Sequence, residues 1–337
     1  MKLAGFNPFR RSKAVRRDAS AVHEGGEEIV QISLKALIQL SRHAGNVAMD
    51  KLSIRSILSG NYLSKVKGRG MEFDEVRLYM PGDDVRSLDW RVTARTGKPH
   101  TKLYREERER PVFISVDFRS AMFFATRGVF KSVLAAKLAA LIAWGGNHHG
   151  DRVGGQIFTD DLTAEFKPRR GKQAILHWLK RLAELSSANV IKNGSNTSNL
   201  EGHSQGLNNA LDRLYHHARP GSLIFVIGDF RGMDAMARAT LTRLSLHCDL
   251  VLIFVYDPLE KKLPPSGRYR IRIGEKKLTL NTADSKMVLA HHERFEQRYN
   301  ELRLLALKNR MRFLPCETTD QPLKVLQGLL IPPKKVA

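Results

Sequence analysis

Three apolar runs of the 337-residue chain close on an aspartate: VFISVD ends at Asp117, SLIFVIGD at Asp229 and LVLIFVYD at Asp257. A carboxylate at the end of a buried strand can cap the helix that follows, accepting its first free N–H groups. Three of them can instead gather at one sheet edge and hold a metal, a cation or an arginine. The residues by themselves leave both uses open. A second acidic set, Glu72, Asp83, Asp84, Asp89, Glu106 and Glu107, has the density of a nuclease-like carboxylate cluster. Arg77, Arg86, Arg91 and Arg95 are interleaved with it, however, and Arg–carboxylate pairing would spend both sets on structure. Trp90, beside Asp89, reads as an anchor into the core rather than a platform for a base.

Other chemistry is weaker. The pairs His148–His149, His216–His217 and His291–His292 are poor chelates, because adjacent helical residues point apart. Gly68-Arg69-Gly70 is too short for a phosphate loop and no Lys-Ser/Thr follows it. Spacing yields no Ser-His-Asp or Cys-His arrangement. The basic stretch 261–277 reads as a solvated hairpin that could also serve as a contact surface.

The elements that must position these groups follow from the apolar periods. Residues 1–27 form a basic, polar arm. Val30, Leu34, Leu37 and Ser41 give a helix from Glu28 to His43, and a shorter helix covers Leu52 to Leu58. Residues 67–95 keep neither period and read as a specified, non-repetitive segment, which closes a region spanning 28–110. From Pro111 strands and helices alternate. Strands fall at 112–117, 152–158, 162–166, 222–229, 250–257 and 312–316, with an exposed hairpin at 268–280. Between them lie helices marked by Leu134 and Leu138, by Ile175 and Leu182, by Leu207 and Leu214, by residues 233–246, and by Phe295 and Leu302. That alternation predicts an α/β fold with a mostly parallel sheet covered on both faces over 111–330, and 331–337 is a tail.

The chain carries 56 Lys+Arg against 34 Asp+Glu, a net charge of +22. Such an excess favours polyanions or acidic protein surfaces as partners and says nothing of fold. Two cysteines cannot form a disulfide framework or a zinc cage. The most apolar run, Val133 to Trp144, is interrupted by Lys137 and falls short of the roughly 20 residues of a membrane span. A reducing cytoplasm is the expected location.

The segments GRGMEFDEVRLYMPGDDVRSLDWRVTAR, KLYREERERPVFISVD, FVIGDF and YDPLE resemble the bacterial family called domain of unknown function 58, which carries a von Willebrand factor A-like (vWA) domain. The resemblance runs from about residue 30 to about 330. Its hallmark is matched at Gly68, Gly70, Glu72, Phe73, Arg77, Tyr79, Pro81, Gly82, Asp83, Asp84, Arg86, Asp89, Trp90, Ala94 and Arg95. The resemblance implies a Rossmann-like vWA three-layer fold, no established catalytic activity, and association with hexameric MoxR-type AAA+ ATPases. It also exposes a departure. The metal-ion-dependent adhesion site (MIDAS) of such domains begins Asp-x-Ser-x-Ser, where this chain has Asp117-Phe118-Arg119-Ser120-Ala121. The threonine of that site should fall near Gln205. Only Asp117 and Asp229 stay in register, and a hard cation needs about six oxygens, so no metal cofactor is expected. Arg119 is expected in its place.

Three functions compete. One is a non-catalytic adaptor for an AAA+ ATPase. The second is a nucleic-acid-binding protein, whose affinity would fall steeply with salt. The third is a metal-dependent hydrolase built on the 72–107 carboxylates.

Overall fold

A computed structural model describes residues 26–46, 71–106, 111–193, 200–273 and 276–328. The expected helix at 52–58, most of the 1–27 arm, Gly68, Gly70, Glu107 and the 331–337 tail lie outside the described residues. The centre is a six-stranded sheet of β3 (Pro111–Asp117), β4 (Arg152–Phe158), β5 (Thr163–Arg169), β6 (Leu223–Gly228), β7 (Asp249–Tyr256) and β10 (Arg312–Glu317). Its order is β10-β7-β6-β3-β4-β5, with β5 antiparallel and every other pairing parallel. Counted from β3, that is the 3-2-1-4-5-6 order of a doubly wound sheet. Both edge strands carry a proline, Pro168 and Pro315, which removes an N–H where a further strand would pair.

The apolar runs are continuous because each strand is buried on both faces. Val112, Ile114 and Val116 of β3, with Leu223, Phe225 and Ile227 of β6, enter one core. Phe113, Ile224 and Val226, alternating with them, enter the other. The first core is covered by α1 (Leu34–Gln39), α3 (Lys131–His148), α4 (Lys172–Asn193) and α9 (Pro322–Gly328). The second is covered by α5 (Leu200–His217), α6 (Ala235–His247) and α8 (Ser285–Lys308). Three layers result, as the alternation predicts. Helix α3 is buried on every side from Lys131 to Gly146. A helix apolar nearly all round is one enclosed by protein, and Lys131, Ser132 and Lys137 are the buried polar exceptions in this one.

The N-terminal segment departs from the single helix expected over 28–43. A 3-10 turn at Gly26–Ile29 precedes α1, and a second at Leu40–Asn46 follows it. Ser33 explains the break: its Oγ accepts the N–H of Ala36 as an N-cap instead of riding inside a longer helix. The segment packs into the main core, where Trp144 Nε1 donates to the Leu37 carbonyl at 3.0 Å and the Phe130 N–H to the Ile29 carbonyl at 2.8 Å.

Residues 71–106 form an antiparallel hairpin of β1 (Met71–Leu78, containing Glu72 and Phe73) and β2 (His100–Glu106). Its connection holds a 3-10 turn at Val85–Ser87 and α2 (Trp90–Thr96). Of the expected Arg–carboxylate pairs, Arg77–Asp83 is present at 2.7 Å. The acids serve mainly as backbone acceptors. Asp83 takes the Met80 N–H, Asp84 the Arg86 N–H, and Asp89 those of Arg91 and Val92. Pro81 and Gly82 make the turn, Gly82 at φ +105°, and Gly97 at φ +69° ends α2 just past Ala94 and Arg95. The expectation that Trp90 anchors into the core is overturned. It is 68% exposed, because it opens a seven-residue helix that buries no side chain of its own.

Close backbone approach at the sheet centre gives one prediction. A Cβ on Gly155 would strike the backbone of Ile114 on the paired strand β3. Gly155→Ala is expected to lower stability by about 1–3 kcal/mol, the range for overpacking, read as a lower midpoint in urea unfolding. An unchanged midpoint would show that β3 and β4 can separate at no cost.

Candidate functional site: a buried ion network at the sheet edge

The chain leaves β3 toward β4 on one side, while β6 lies on the other. Their carboxyl ends therefore frame the crevice of the topological switch point. Asp117 ends β3 and Asp229 follows β6. Gly228 lets them approach, since a Cβ there would lie 2.8 Å from Asp117 Cβ. Both carboxylates are buried, and so are Arg119 and Lys131, which meet them.

Arg119 folds back on Asp117. Its Nε lies 3.0 and 3.1 Å from the two carboxylate oxygens, its Nη2 lies 2.6 Å from Oδ2, and its backbone N–H donates to Oδ1 at 2.9 Å. The same Nη2 is 3.7 Å from Asp229 Oδ1. Nη1 donates to the Arg231 carbonyl at 2.9 Å, and the guanidinium lies over the Phe158 ring at 5.6 Å. Lys131, the first residue of α3, donates to Asp229 Oδ2 at 2.9 Å and to Glu260 Oε1 at 2.7 Å. Arg231 closes the set from the loop after β6, with Nη2 3.2 Å from Glu260 and Nε 3.4 Å from Asp229. Arg298 of α8 reaches Glu260 at 3.0 Å. Phe230, between Asp229 and Arg231, sits at φ +51°. That is a strained conformation for a bulky residue, held here by the contacts on either side.

These charges set one another's protonation. Burial alone would raise Asp229, but Lys131, then Arg231, Arg119 and Arg298, outweigh it and hold the carboxyl well below its ordinary value. Glu260 is lowered in the same way, chiefly by Lys131 and Arg231 against burial. Burial pushes Asp117 up, Arg119 pulls it down, and repulsion from Asp229 adds to the rise. Burial opposes the charge on Arg119, yet Asp117, Asp229 and Asp160 keep its guanidinium charged.

The linkage has a sign. For Asp229 and Glu260 the folded-state value lies below the unfolded one, so their stabilisation is whole above about pH 4.5 and is lost as pH falls below it. Asp117, raised, acts oppositely, favouring the folded state at low pH and giving that up as pH rises. The lowered acids are more numerous, because Asp83, Asp89, Asp234 and Asp257 join them. The melting temperature is therefore expected to fall steadily from pH 5 to pH 3. A flat profile would mean that the network binds its carboxylates no better than water does.

The expected residues are distributed unevenly. Asp117, Arg119 and Asp229 meet. Asp257 does not join them: it caps the short helix α7 (Pro258–Lys261) through the Leu259 N–H and accepts from Thr126 and Thr318. Gln205 is exposed inside α5, not ahead of a helix, and the residue next to Arg119 is Gly206. A glycine there leaves room for the arginine stem, 3.4 Å from where a Cβ would stand. Ala121 lies in a 3-10 turn, Ser120–Met122, tied down by the Ser120 N–H donating to Asp160 at 2.8 Å. Sequence reasoning missed Lys131, Asp160, Glu260, Arg231 and Arg298. For Lys131 a signal existed: a lysine opening a helix opposes the helix dipole, so its place there calls for carboxylates.

The donor set does not suit a divalent cation. Two carboxylates stand where about six oxygens are needed, and both are already engaged by buried cations. Among the described residues no group of three or more His, Cys, Asp or Glu side chains is placed to hold a metal ion. No helix among them is long and apolar enough to cross a membrane.

Fold and site together define a doubly wound α/β domain whose strand-end carboxylates are neutralised by its own side chains. The chain belongs to the family described as "Protein of unknown function DUF58", whose sequence profile matches residues 75–303. It is similar to uncharacterised proteins of Mycobacterium bovis and Mycobacterium tuberculosis, 31% identical over 217 residues. That match covers 64% of this chain and 65% of theirs, so the chain spans just under two thirds of their length. Among solved structures, the conserved hypothetical protein BatB from Bacteroides thetaiotaomicron aligns with a TM-score of 0.41 and 14% identity, over 66% of this chain and 97% of that one.

Proposed function

We propose that the chain is a non-catalytic interaction module, an adaptor or co-chaperone that works with a MoxR-type AAA+ ATPase in maturing a larger complex. The observation that carries this reading is the occupation of the sheet edge. Where an intact vWA site would gather a cation and then a partner, Arg119 and Lys131 lie against Asp117 and Asp229. Such an edge is assembled before any partner arrives and needs no divalent ion to hold its shape. Membership of the family supports the choice of partner through the resemblance already described.

The test is co-elution of the purified chain with the MoxR-type ATPase of the same organism, with and without ATP. Binding is expected in at least one nucleotide state, and any nucleotide-free binding should persist in EDTA. Absence of binding in both states would refute the reading, and binding abolished by EDTA without nucleotide would refute the metal-independent edge.

A further inference from the structure

The register of β1 and β2 leaves one end of the hairpin close to β3 along the chain and the other far from it along the chain. Met71 pairs with Glu106, five residues before β3, whereas Leu78 pairs with His100 at the far end. The 79–99 connection closes that far end through Tyr79 N–H to Pro99 O and Asp89 N–H to His100 O. Four large apolar side chains are exposed on this one stretch: Leu78 at 53%, Met80 at 62%, Val85 at 59% and Trp90 at 68%. An isolated exposed apolar residue needs no explanation, whereas several gathered on one short folded segment mark a contact surface.

The charges around them are sorted. Asp83, Asp84 and Asp89 are all engaged, by Arg77 or by backbone N–H groups of the same segment. Arg86, Arg91, Arg95 and Lys98 are exposed and have no acidic partner among the described residues. The 78–98 stretch therefore carries four exposed apolar side chains together with four exposed cations that have no acidic partner among the described residues. Trp, Met and Arg are the residue types enriched where proteins bind proteins.

Resting on the reading as an interaction module, we propose that this hairpin tip is its docking surface, and that the partner is a protein presenting carboxylates around an apolar cleft. A nucleic acid fits less well. Strands of nucleic acid are bound on stacked aromatic platforms, and three of the four exposed apolar side chains are aliphatic.

The test uses the full chain with three probes: the MoxR-type ATPase of the same organism, a tryptophan-free amphipathic peptide with a leucine face flanked by glutamates, and a single-stranded oligonucleotide. Affinities are measured by calorimetry. For the peptide, tryptophan emission gives a second readout, because Trp144 and Trp178 are buried and Trp90 is not. The ATPase and the peptide are expected to bind, the peptide shifting emission to the blue. Trp90→Ala should remove that shift. Trp90→Ala, and Arg86→Glu with Arg91→Glu and Arg95→Glu, should each weaken binding about ten-fold or more, a hot-spot effect. Both variants change exposed side chains and should melt like the parent. If the parent binds the ATPase and the variants bind it equally well, this docking surface is overturned while the adaptor reading survives. If the ATPase does not bind but the peptide binds through Trp90, the adaptor reading falls and the docking surface stands. Binding of neither, or of the oligonucleotide alone, overturns the docking surface.

Discussion

Lys131→Met is expected to lower stability by about 3–5 kcal/mol, the cost of breaking a buried ion pair from one side. Lys131 is fully buried and bridges two carboxylates, Asp229 at 2.9 Å and Glu260 at 2.7 Å. Methionine fills the space of the stem but takes away three donors and the charge. Asp229 would keep the Arg231 backbone N–H at 3.0 Å, while Arg119 at 3.7 Å and the Arg231 Nε at 3.4 Å lie beyond good hydrogen-bond distance. Glu260 would keep Arg231 and Arg298. The loss should therefore fall mainly on Asp229, so adding Asp229→Asn ought to return part of it. Chemical unfolding of the parent, the two single variants and the double variant measures that coupling. A Lys131→Met variant within about 1 kcal/mol of the parent would mean that water or a backbone shift replaces the ammonium at little cost.

Arg119→Met carries an effect of the same size, about 3–5 kcal/mol, for a related reason. Asp117 would lose its three guanidinium contacts, keep one backbone N–H, and face Asp229 without a cation between them. Two adjoining carboxylates repel, and one then takes up a proton. The deficit should consequently be larger at pH 7 than at pH 5, and Asp117→Asn should relieve much of it. Substituting Arg119→Ser together with Ala121→Ser replaces the guanidinium by two hydroxyls beside Asp117. That variant is expected to gain a melting-temperature response to magnesium or manganese, which the parent should lack. A parent stabilised by magnesium in a way that Asp117→Asn abolishes would refute the account of the edge.

Much of the fold is legible in the residues. VFISVD, SLIFVIGD and LVLIFVYD are apolar without alternation because both faces of each strand are covered, and that pattern is local. The hairpin at 268–280 is equally local, its alternation matched by the pairing of β8 (Arg268–Ile273) and β9 (Lys276–Asn281). Trp90 shows where such reading fails. Tryptophan is a large apolar side chain, and the inference to a core anchor rests on residue type alone. Whether anything lies over it depends on the size of the helix it opens and on what that helix packs against. Asp257 shows what such reading leaves open, since it caps α7, one of the two uses its position allows. Its position at a strand end matches Asp117 and Asp229, but Thr126 and Thr318 compete for its oxygens, and neither is near it in sequence.

The sequence alone determined the α/β alternation and the doubly covered sheet, since each is a matter of residue type within a few positions. Only the tertiary structure decided how the remaining carboxylates are neutralised. Arg119 is two residues from Asp117 and could be anticipated. Lys131 lies 98 residues from Asp229 and 129 from Glu260. No period or motif links positions so far apart. They meet because β3, β6 and β7 lie side by side and α3 starts above their ends, and in a dry interior a charge must find its opposite wherever the fold brings one within reach.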